Sequence, residues 1–327
     1  MAVTKESEAN RANQQDQTTG LSNRVVGRNQ RTLRPDGTFN VARRGLPWFR
    51  PYDIFQSLIT MSWLEFLVIV ITTFLIINTL FAIIYFEIGI RELTGYTGHS
   101  GLQEFLHGFF FSTQSLTTVG YGRIAPVGLE ASAVAAVESM LGLLIFALAT
   151  GLLYGRFSRP VAKIVSSKNI IISPYKDGTA LMFKVANMRK NQLSEVEVSL
   201  TLSRIEIENG KEIRRFYPLR AEPSKIVMFP LAWTVVHPID EKSELFGKTQ
   251  HDLEREDMQV LVYMKAYDET FSNSVHHRIG YSHSDLVWGA KFRINFEPDE
   301  SGVYLHHLDR MNDYDRVDLP NVMTSSA

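Results

Sequence analysis

The chain has 327 residues and a formal net charge of −1, so no excess of basic charge points to nucleic acid as a partner. It contains no cysteine, which excludes disulfides, thiolate metal sites and a cysteine nucleophile. Residues 1–42 are largely polar and include a run rich in Asn, Gln and Thr. Such a composition buries too little apolar surface to offset the entropy of ordering, so we expect a disordered tail there.

Two long apolar segments, residues 64–86 and 129–155, predict membrane-spanning helices. At 1.5 Å per residue the first is roughly 33 Å long, enough to cross a hydrocarbon core of about 30 Å. Basic residues concentrate before the first segment and after the second. The positive-inside rule then places both termini in the cytoplasm, which indicates a multi-pass protein of the cell inner (plasma) membrane.

Residues 43–62 precede the first span and mix aromatic with charged side chains. This mixture favours an interfacial slide helix that lies along the cytoplasmic headgroups. The alternative is a plain extension of the first span.

The loop between the spans begins with an apolar and aromatic segment, residues 102–114, which is too short to cross a membrane. The sequence TTVGYG follows almost directly, at residues 117–122. Irregular backbone at membrane depth is tolerated where it is buried in protein or lines a watery cavity. A half-span helix that leads into such a segment predicts a re-entrant pore loop.

The residue types of 117–122 suit a potassium filter. Backbone carbonyls can replace the water shell of K⁺ without fixed charge. Successive carbonyls point to one side when the backbone hand alternates, which glycine allows at little steric cost at Gly120 and Gly122. The Thr118 hydroxyl can add an inner oxygen ring, and Val119 and Tyr121 would pack outward. One loop per chain requires four subunits about a four-fold axis.

At this point the sequence resembles the inward-rectifier potassium channel family, most closely its prokaryotic branch. The resemblance covers roughly residues 40–300 and follows the family's order of motifs. The matching segments are Trp48–Ser62, Asn78–Ala82, Phe110–Ser112, Thr117–Gly122, Tyr154–Pro160, Ala186–Gln192, His237–Asp240, Asp268–Phe271 and Val287–Gly289.

The resemblance assigns further roles around the filter and implies K⁺ contacts at Thr118, Val119, Gly120 and Tyr121. The family's pore-helix carboxylate, which braces the filter, falls on Gln114. A neutral hydrogen bond must therefore replace an acid–arginine brace, with Gln114 and Arg123 as the candidates.

The second span carries two positions that could serve the pore or the packing. Gly142 matches the family's hinge glycine, although close helix packing at a small residue is an equal alternative. Glu138 is ionisable inside a span and is therefore expected to face protein or water. We favour a structural brace behind the filter over ion attraction in the cavity.

Phe146, Thr150 and Tyr154 recur every four residues and so share one helical face. Phe146 falls where strong rectifiers carry a cavity acid that attracts polyamines and magnesium, so we expect weak rectification. Tyr154 matches the aromatic ring that closes the family's cytoplasmic mouth. An interfacial belt tyrosine is the alternative.

Basic residues follow the second span at Arg156, Arg159 and Lys163. Each basic residue at this level contributes about 1 kcal/mol of attraction to anionic lipid. All three match phosphoinositide contacts of the family, whereas two other family basics are replaced here by Val161 and Ala162. Ordinary topology-setting charge is the alternative role.

Residues 159–300 show short alternating segments that predict a β-sandwich. Residues 195–202 alternate, the phase slips before Ile205 in a way that suggests a bulge, and Asn209-Gly210 marks a hairpin. In the family this cytoplasmic domain is immunoglobulin-like. Residues 301–327 read as an irregular tail.

The fold expected is thus a two-span α-helical pore domain, residues 63–158, joined to an all-β sandwich. The histidine pairs at 276–277 and 306–307 have poor chelate geometry, because adjacent strand residues face opposite ways. No nucleophile–base pair or metal-ligand spacing suggests an enzyme. No cofactor is expected beside K⁺ as the permeant ion, and the expected partners are K⁺, anionic lipid and copies of this chain.

Two alternative functions stay open. The chain could be a two-span channel gated by a soluble ligand, whose usual regulatory domain would be α/β. It could also be a non-conducting, membrane-anchored β-sandwich that binds a partner, although such a protein would not need the TVGYG segment.

Overall fold

A computed structural model of the chain falls into two compact units. One is Gly45–Arg159, and the other combines Met1–Arg44 with Pro160–Ala327. The residues that the structure describes are 28, 30–34, 37–42, 44–45, 51–95, 100–158, 163–189, 191–229 and 232–320.

The membrane unit is helical. Its elements are α1 Pro51–Thr60, α2 Trp63–Ile88, a 3₁₀ turn at Ile90–Glu92, α3 Gly101–Leu116 and α4 Leu129–Phe157. Helices α2 and α4 are long and apolar enough to cross a membrane, as predicted, and each extends a little beyond its predicted bounds. The short helix α3 coincides with the predicted pore helix and is longer at both ends.

Local sequence sets where two of these helices begin. Ser62 and Glu65 form a reciprocal capping box, with the Ser62 amide 2.9 Å from Glu65 Oε2. Ser100 accepts a hydrogen bond from the Gln103 amide and so caps α3. Because the cap at Ser62 separates α1 from α2, the alternative of one continuous first span is wrong. Residues 43 and 46–50 of the predicted slide helix lie outside the described residues.

The second unit is built from strands. They are β1 Ile164–Ser166, β2 Ile170–Tyr175, β3 Gly178–Asn187, β4 Leu193–Glu208, β5 Lys211–Leu219, β6 Lys225–Met228, β7 Ala232–Ile239, β8 Gln259–Asp268, β9 Asn273–Ser282, β10 Leu286–Trp288, β11 Ala290–Phe292, β12 Phe296–Pro298, β13 Tyr304–His306 and β14 Tyr314–Arg316. A six-residue helix, α5 Gln250–Arg255, precedes β8.

Two five-stranded sheets form the predicted sandwich. One has the order β1-β3-β2-β10 with β7 paired to β3, and the other has the order β5-β4-β8-β9 with β6 paired to β4. Both contribute to a single apolar core, which includes Ile172 and Phe183 from the first sheet and Leu202 and Met264 from the second. Burial of this shared core is the main force that holds the sheets together.

The predicted hairpin at Asn209-Gly210 is confirmed. Both residues have positive φ, 51° and 75°, which is the backbone that a two-residue turn between twisted strands requires. The bulge in β4 lies elsewhere than predicted, because its register against β8 shifts between Ser194 and Glu197. The burial phase changes near Ile205 for a different reason: β4 has by then left β8, and the Ile205 amide donates to Glu256 O.

Part of the N-terminal region expected to be disordered is ordered. Residues 30–34 and 37–42, together called the N-terminal strap below, lie against the sheet that contains β5, β8 and β9. Leu33 is buried with Phe216 and Leu261, and the Thr32 amide donates to Gln259 Oε1 at 3.0 Å. A short apolar anchor with paired backbone groups compensates for the polar composition around it. Residues 1–27 lie outside the described part.

The expected irregular tail after residue 300 is also partly wrong. Strand β13 pairs with β12, and β14 returns to pair with β11. These strands are three residues long, so their alternation was too short to be read as periodicity. Residues 321–327 lie outside the described part.

Candidate functional site

The backbone of residues 117–122 alternates in hand. Thr118, Gly120 and Gly122 have positive φ, at 59°, 52° and 76°, whereas Thr117 has a φ of −83°. Val119 and Tyr121 are not among the positive-φ residues. Alternation of this kind turns successive carbonyls toward one side of the strand, which is the arrangement that replaces a hydration shell.

Thr118 was not expected at a left-handed position. A β-branched residue with positive φ is an outlier that costs about 1–3 kcal/mol, and such strain clusters at functional sites. The two glycines indicate that Gly120 and Gly122 can adopt positive φ. They give no such indication for Thr118, the third residue with positive φ. Because every second residue must have the same hand, the position two before Gly120 could have been inferred from the repeat.

Residues 117–122, the predicted filter, are hydrogen-bonded to the C-terminal end of α3. The Val119 and Gly120 amides donate to Gln114 O at 3.0 and 3.3 Å, and the Thr118 amide donates to Ser115 O at 3.1 Å. The last carbonyls of a helix lack partners within the helix, so these amides occupy them. Helix α3, the predicted pore helix, therefore holds the start of the predicted filter through backbone hydrogen bonds.

The side chains of Val119 and Tyr121, which are predicted to face outward, have little cover within one chain. Val119 is 53% exposed and Tyr121 is 78% exposed. The described part of one chain therefore leaves more than half of each side chain uncovered. Exposed apolar and aromatic groups at membrane depth are suited to contact with further protein.

The two brace candidates are not paired with each other. Gln114 Oε1 is buried and has no hydrogen-bond partner among the described residues, although the backbone carbonyl of Gln114 holds the filter. Arg123 is exposed, and its backbone carbonyl lies 3.4 Å from Thr94 Oγ1. The neighbouring Ile124 is the buried residue at this point of the loop.

Glu138 lies at the centre of a buried polar cluster that joins three helices. Its Oε2 accepts from the Tyr85 hydroxyl of α2 at 2.7 Å, and its Oε1 accepts from the Ser112 hydroxyl of α3 at 2.5 Å. Ser112 also lies 3.1 Å from Asn78 Oδ1. Glu138 is fully buried. Two hydrogen bonds from other helices and full burial within one chain are what a structural brace needs, and the brace role of Glu138 stays a prediction.

Gly142 is a close-packing position. A Cβ at this site would lie 2.1 Å from Leu116 O, at the end of the pore helix. Helix α4 therefore presses backbone to backbone against the end of α3, directly before the filter. Of the two roles considered for Gly142, packing is the one with a specific contact.

The predicted pore-facing residues occupy an exposed side of α4. Phe146 and Tyr154 are each 74% exposed, and Thr150 bonds the Phe146 carbonyl within the helix at 2.9 Å. The four-residue spacing holds in the structure, since α4 is helical throughout Leu129–Phe157. The three side chains therefore share one face of α4.

The basic residues after the second span differ in their surroundings. The Arg156 guanidinium is held within the membrane unit, whereas Lys163 is exposed in the other unit and its carbonyl accepts from the Met188 amide at 2.8 Å. Arg159 lies outside the described residues. The three residues expected to contact lipid are therefore not equivalent.

The histidine pairs take part in ordinary polar contacts. His276 Nδ1 lies 2.8 Å from the Tyr263 hydroxyl, and His307 Nε2 lies 2.9 Å from Glu297 Oε1. Burial lowers the pKa of His277. Within the described ranges no group of three or more His, Asp or Glu side chains is arranged to hold a metal ion.

Comparison with known proteins agrees with this architecture. The model of the inward rectifier potassium channel C-terminal domain matches residues 164–327, and an ion channel model matches residues 66–159. The chain is 36% identical to the inward rectifier potassium channel Kirbac3.1 of Paramagnetospirillum magnetotacticum, over 81% of this chain and 89% of that protein. It is 25% identical to the human inward rectifier potassium channel 18, over 84% of this chain and 67% of that protein.

A search of solved structures adds a match to the sporulation control protein Spo0M of Bacillus subtilis, with a TM-score of 0.18 and 12% identity over 37% of this chain and 49% of that one. This likeness is too low to carry an argument. The two candidate spans, the short helix between them and the β-sandwich define a two-span membrane channel with a β-rich C-terminal domain. The chain belongs to the inward rectifier potassium channel family.

Proposed function

We propose that four copies of this chain form a pore that conducts K⁺ passively across the cell inner membrane, with both termini in the cytoplasm. The carbonyls of Thr118, Val119, Gly120 and Tyr121 stand in for the water around the ion, and the Thr118 hydroxyl adds oxygens at the inner end. No cofactor is required for this function. The observation that carries the proposal is the alternating backbone hand of residues 117–122.

Assembly of four chains is supported by what one chain leaves uncovered. The exposed side chains of Val119 and Tyr121 need a neighbour if they are to brace the filter. A single filter strand also offers oxygens on one side of an ion, whereas dehydration needs them all round. Native mass spectrometry from lipid nanodiscs should therefore give the mass of four chains of 37.2 kDa. The mass of a single chain under these conditions would contradict the proposed tetramer.

The filter assignment is tested by rubidium uptake into liposomes, with barium block and a sodium control. Gly120→Ala should abolish barium-sensitive uptake, because the added Cβ strains a backbone at φ 52°. Gly101→Ala is the matched control in the same loop, since a Cβ there meets nothing within 4 Å and the backbone is not left-handed. Equal uptake by the two variants would contradict the assignment.

Weak rectification is proposed from the exposed Phe146 face of α4, which offers no charge to a blocking polyamine. In voltage-clamped bilayers, cytoplasmic spermine should block the unsubstituted channel shallowly, and Phe146→Asp should steepen the block. Steep micromolar block of the unsubstituted channel would refute this.

We also propose that anionic lipid and movement of the cytoplasmic domain modulate conduction. Lys163 is exposed, and its position shortly after the second span is suited to lipid phosphate. Raising the phosphatidylglycerol fraction of the liposomes should change rubidium uptake, and Lys163→Gln should shift the midpoint. A midpoint that does not move would remove Lys163 from this role.

A further inference from the structure

Both terminal nitrogens of Arg156 make contacts within the membrane unit, whereas its Nε is buried and has no hydrogen-bond partner among the described residues. Its Nη1 donates to Leu58 O at 2.5 Å, and its Nη2 donates to Met61 O at 2.9 Å. Its guanidinium also lies 4.5 Å from the ring centroids of both Trp63 and Phe66. Two backbone carbonyls and two aromatic rings from the region of α1 and the start of α2 therefore hold one side chain of α4.

The two carbonyls are groups that the interfacial helix cannot satisfy by itself. Leu58 lies in the last turn of α1, and Met61 follows its end, so neither carbonyl can accept from a later turn of the same helix. The last turn of α1 has no basic side chain of its own. A cation near a helix C-terminus is favoured by the helix dipole, and Arg156 supplies that cation from α4.

Close packing surrounds this contact. A Cβ at Gly155 would lie 3.1 Å from Ile59 Cδ1, so α1 approaches α4 at a residue without a side chain. Phe157 packs on Trp63 with their ring centroids 5.1 Å apart. The residues on either side of Arg156 thus make the same junction by apolar contact.

We propose that Arg156 is a positioning residue that fastens the end of the inner helix α4 to the interfacial helix α1, rather than a lipid ligand. Tyr154 lies two residues earlier on α4, so displacement of α1 at the membrane surface moves this aromatic ring directly. This inference rests on the proposed channel function for its consequence in gating, but the junction itself is a structural claim. Lipid recognition by basic residues then falls to others, such as Lys163.

The planar guanidinium is essential to this role, and positive charge alone does not replace it. Arginine donates to two carbonyls at once and stacks on aromatic faces, whereas lysine offers one compact ammonium. A lipid contact would be less demanding, since either cation attracts a phosphate. Arg156→Lys therefore separates the two roles.

The first readout is hydrogen exchange of the α1 amides in the full-length protein, reconstituted in phosphatidylglycerol nanodiscs. Arg156→Lys should speed exchange over Pro51–Thr60 by about tenfold, the effect of one lost charged hydrogen bond. Lys163→Gln should leave this exchange unchanged. The measurement does not depend on conduction, so its outcome is separate from the success of the proposed function.

The second readout is rubidium uptake as a function of the phosphatidylglycerol fraction. In Arg156→Lys the ratio of uptake at high and low fractions should fall toward one, because α1 no longer moves the gate. In Lys163→Gln the ratio should persist, while the midpoint shifts about fivefold for one basic residue. If Arg156→Lys keeps normal α1 exchange and shifts the midpoint as Lys163→Gln does, Arg156 is a lipid ligand and the proposal is overturned.

Discussion

Removal of the Tyr85 hydroxyl tests the brace behind the filter most directly. Tyr85→Phe keeps the ring, which is fully buried and packs edge-on against Phe111 with the centroids 4.9 Å apart. The substitution deletes the 2.7 Å hydrogen bond to Glu138 Oε2 and leaves that oxygen without its donor. The apolar packing is unchanged, so the lost free energy reports on the polar cluster alone.

The size of the effect follows from the two bonds of the carboxyl group. A hydrogen bond contributes about 0.5–1.5 kcal/mol net, and a buried acceptor left without its donor costs about 1–3 kcal/mol. Glu138 retains its 2.5 Å contact with Ser112, so the carboxyl group loses one of its two hydrogen bonds and the cost should stay within that range. We expect Tyr85→Phe to lower the unfolding free energy by about 2 kcal/mol.

Unfolding by sodium dodecyl sulfate in mixed micelles measures this difference. Tyr304→Phe is the matched control, because that side chain is 61% exposed in the other unit and the change should be nearly neutral. In a Glu138→Leu background the effect of Tyr85→Phe should largely vanish, since its hydrogen-bond acceptor is gone. An undiminished effect in that background, or a loss below about 0.5 kcal/mol in the parent, would refute the brace.

Three further outcomes follow from the structure. Gly142→Ala should reduce barium-sensitive rubidium uptake, because its Cβ would lie 2.1 Å from Leu116 O. Gly151→Ala is the control in the same helix, since a Cβ there meets nothing within 4 Å. Equal uptake by the two variants would argue against the packing role. Leu33→Ala should cost up to about 2–5 kcal/mol of anchoring and expose the N-terminal strap to limited proteolysis, and an unchanged cleavage rate would contradict its docking. Burial lowers the pKa of His237, whose Nδ1 donates to Arg220 O and whose Nε2 accepts from the Ser243 hydroxyl. The stabilising contribution of neutral His237 is therefore complete above about pH 6.5 and is lost as the pH falls through the folded-state pKa. The thermal midpoint should be lower at pH 5 than at pH 7.5, and His237→Gln should reduce that difference.

Much of the pore domain could be predicted because its signals are local. Apolar length marked α2 and α4, and a half-length apolar segment before TVGYG marked α3. The hairpin at Asn209-Gly210 was equally readable, since its turn chemistry involves two adjacent residues. Each of these features depends on a short stretch of chain and on whether lipid or water surrounds it.

The errors fall where distant segments meet. The N-terminal strap read as disordered because its polar composition hides a single anchor, Leu33, whose pocket is formed by Phe216 and Leu261. The strands β13 and β14 were missed because three residues carry no usable period, and their pairing partners supply the order. The left-handed Thr118 likewise depends on the repeat of the filter and not on its own residue type.

The sequence by itself determined the two candidate spans, the short helix before TVGYG and the resemblance to a potassium channel family, since lipid requires long apolar helices and a potassium filter requires backbone freedom at glycine. Tertiary structure decided which polar side chains form hydrogen bonds between helices. From the sequence alone, Arg156 is equivalent to the other basic residues after the second span. Glu138 is equally consistent with a structural brace and with a residue that attracts ions. Tyr85 and Glu138 are separated by 53 positions in the sequence, and Met61 and Arg156 by 95. No local pattern encodes contacts over such separations.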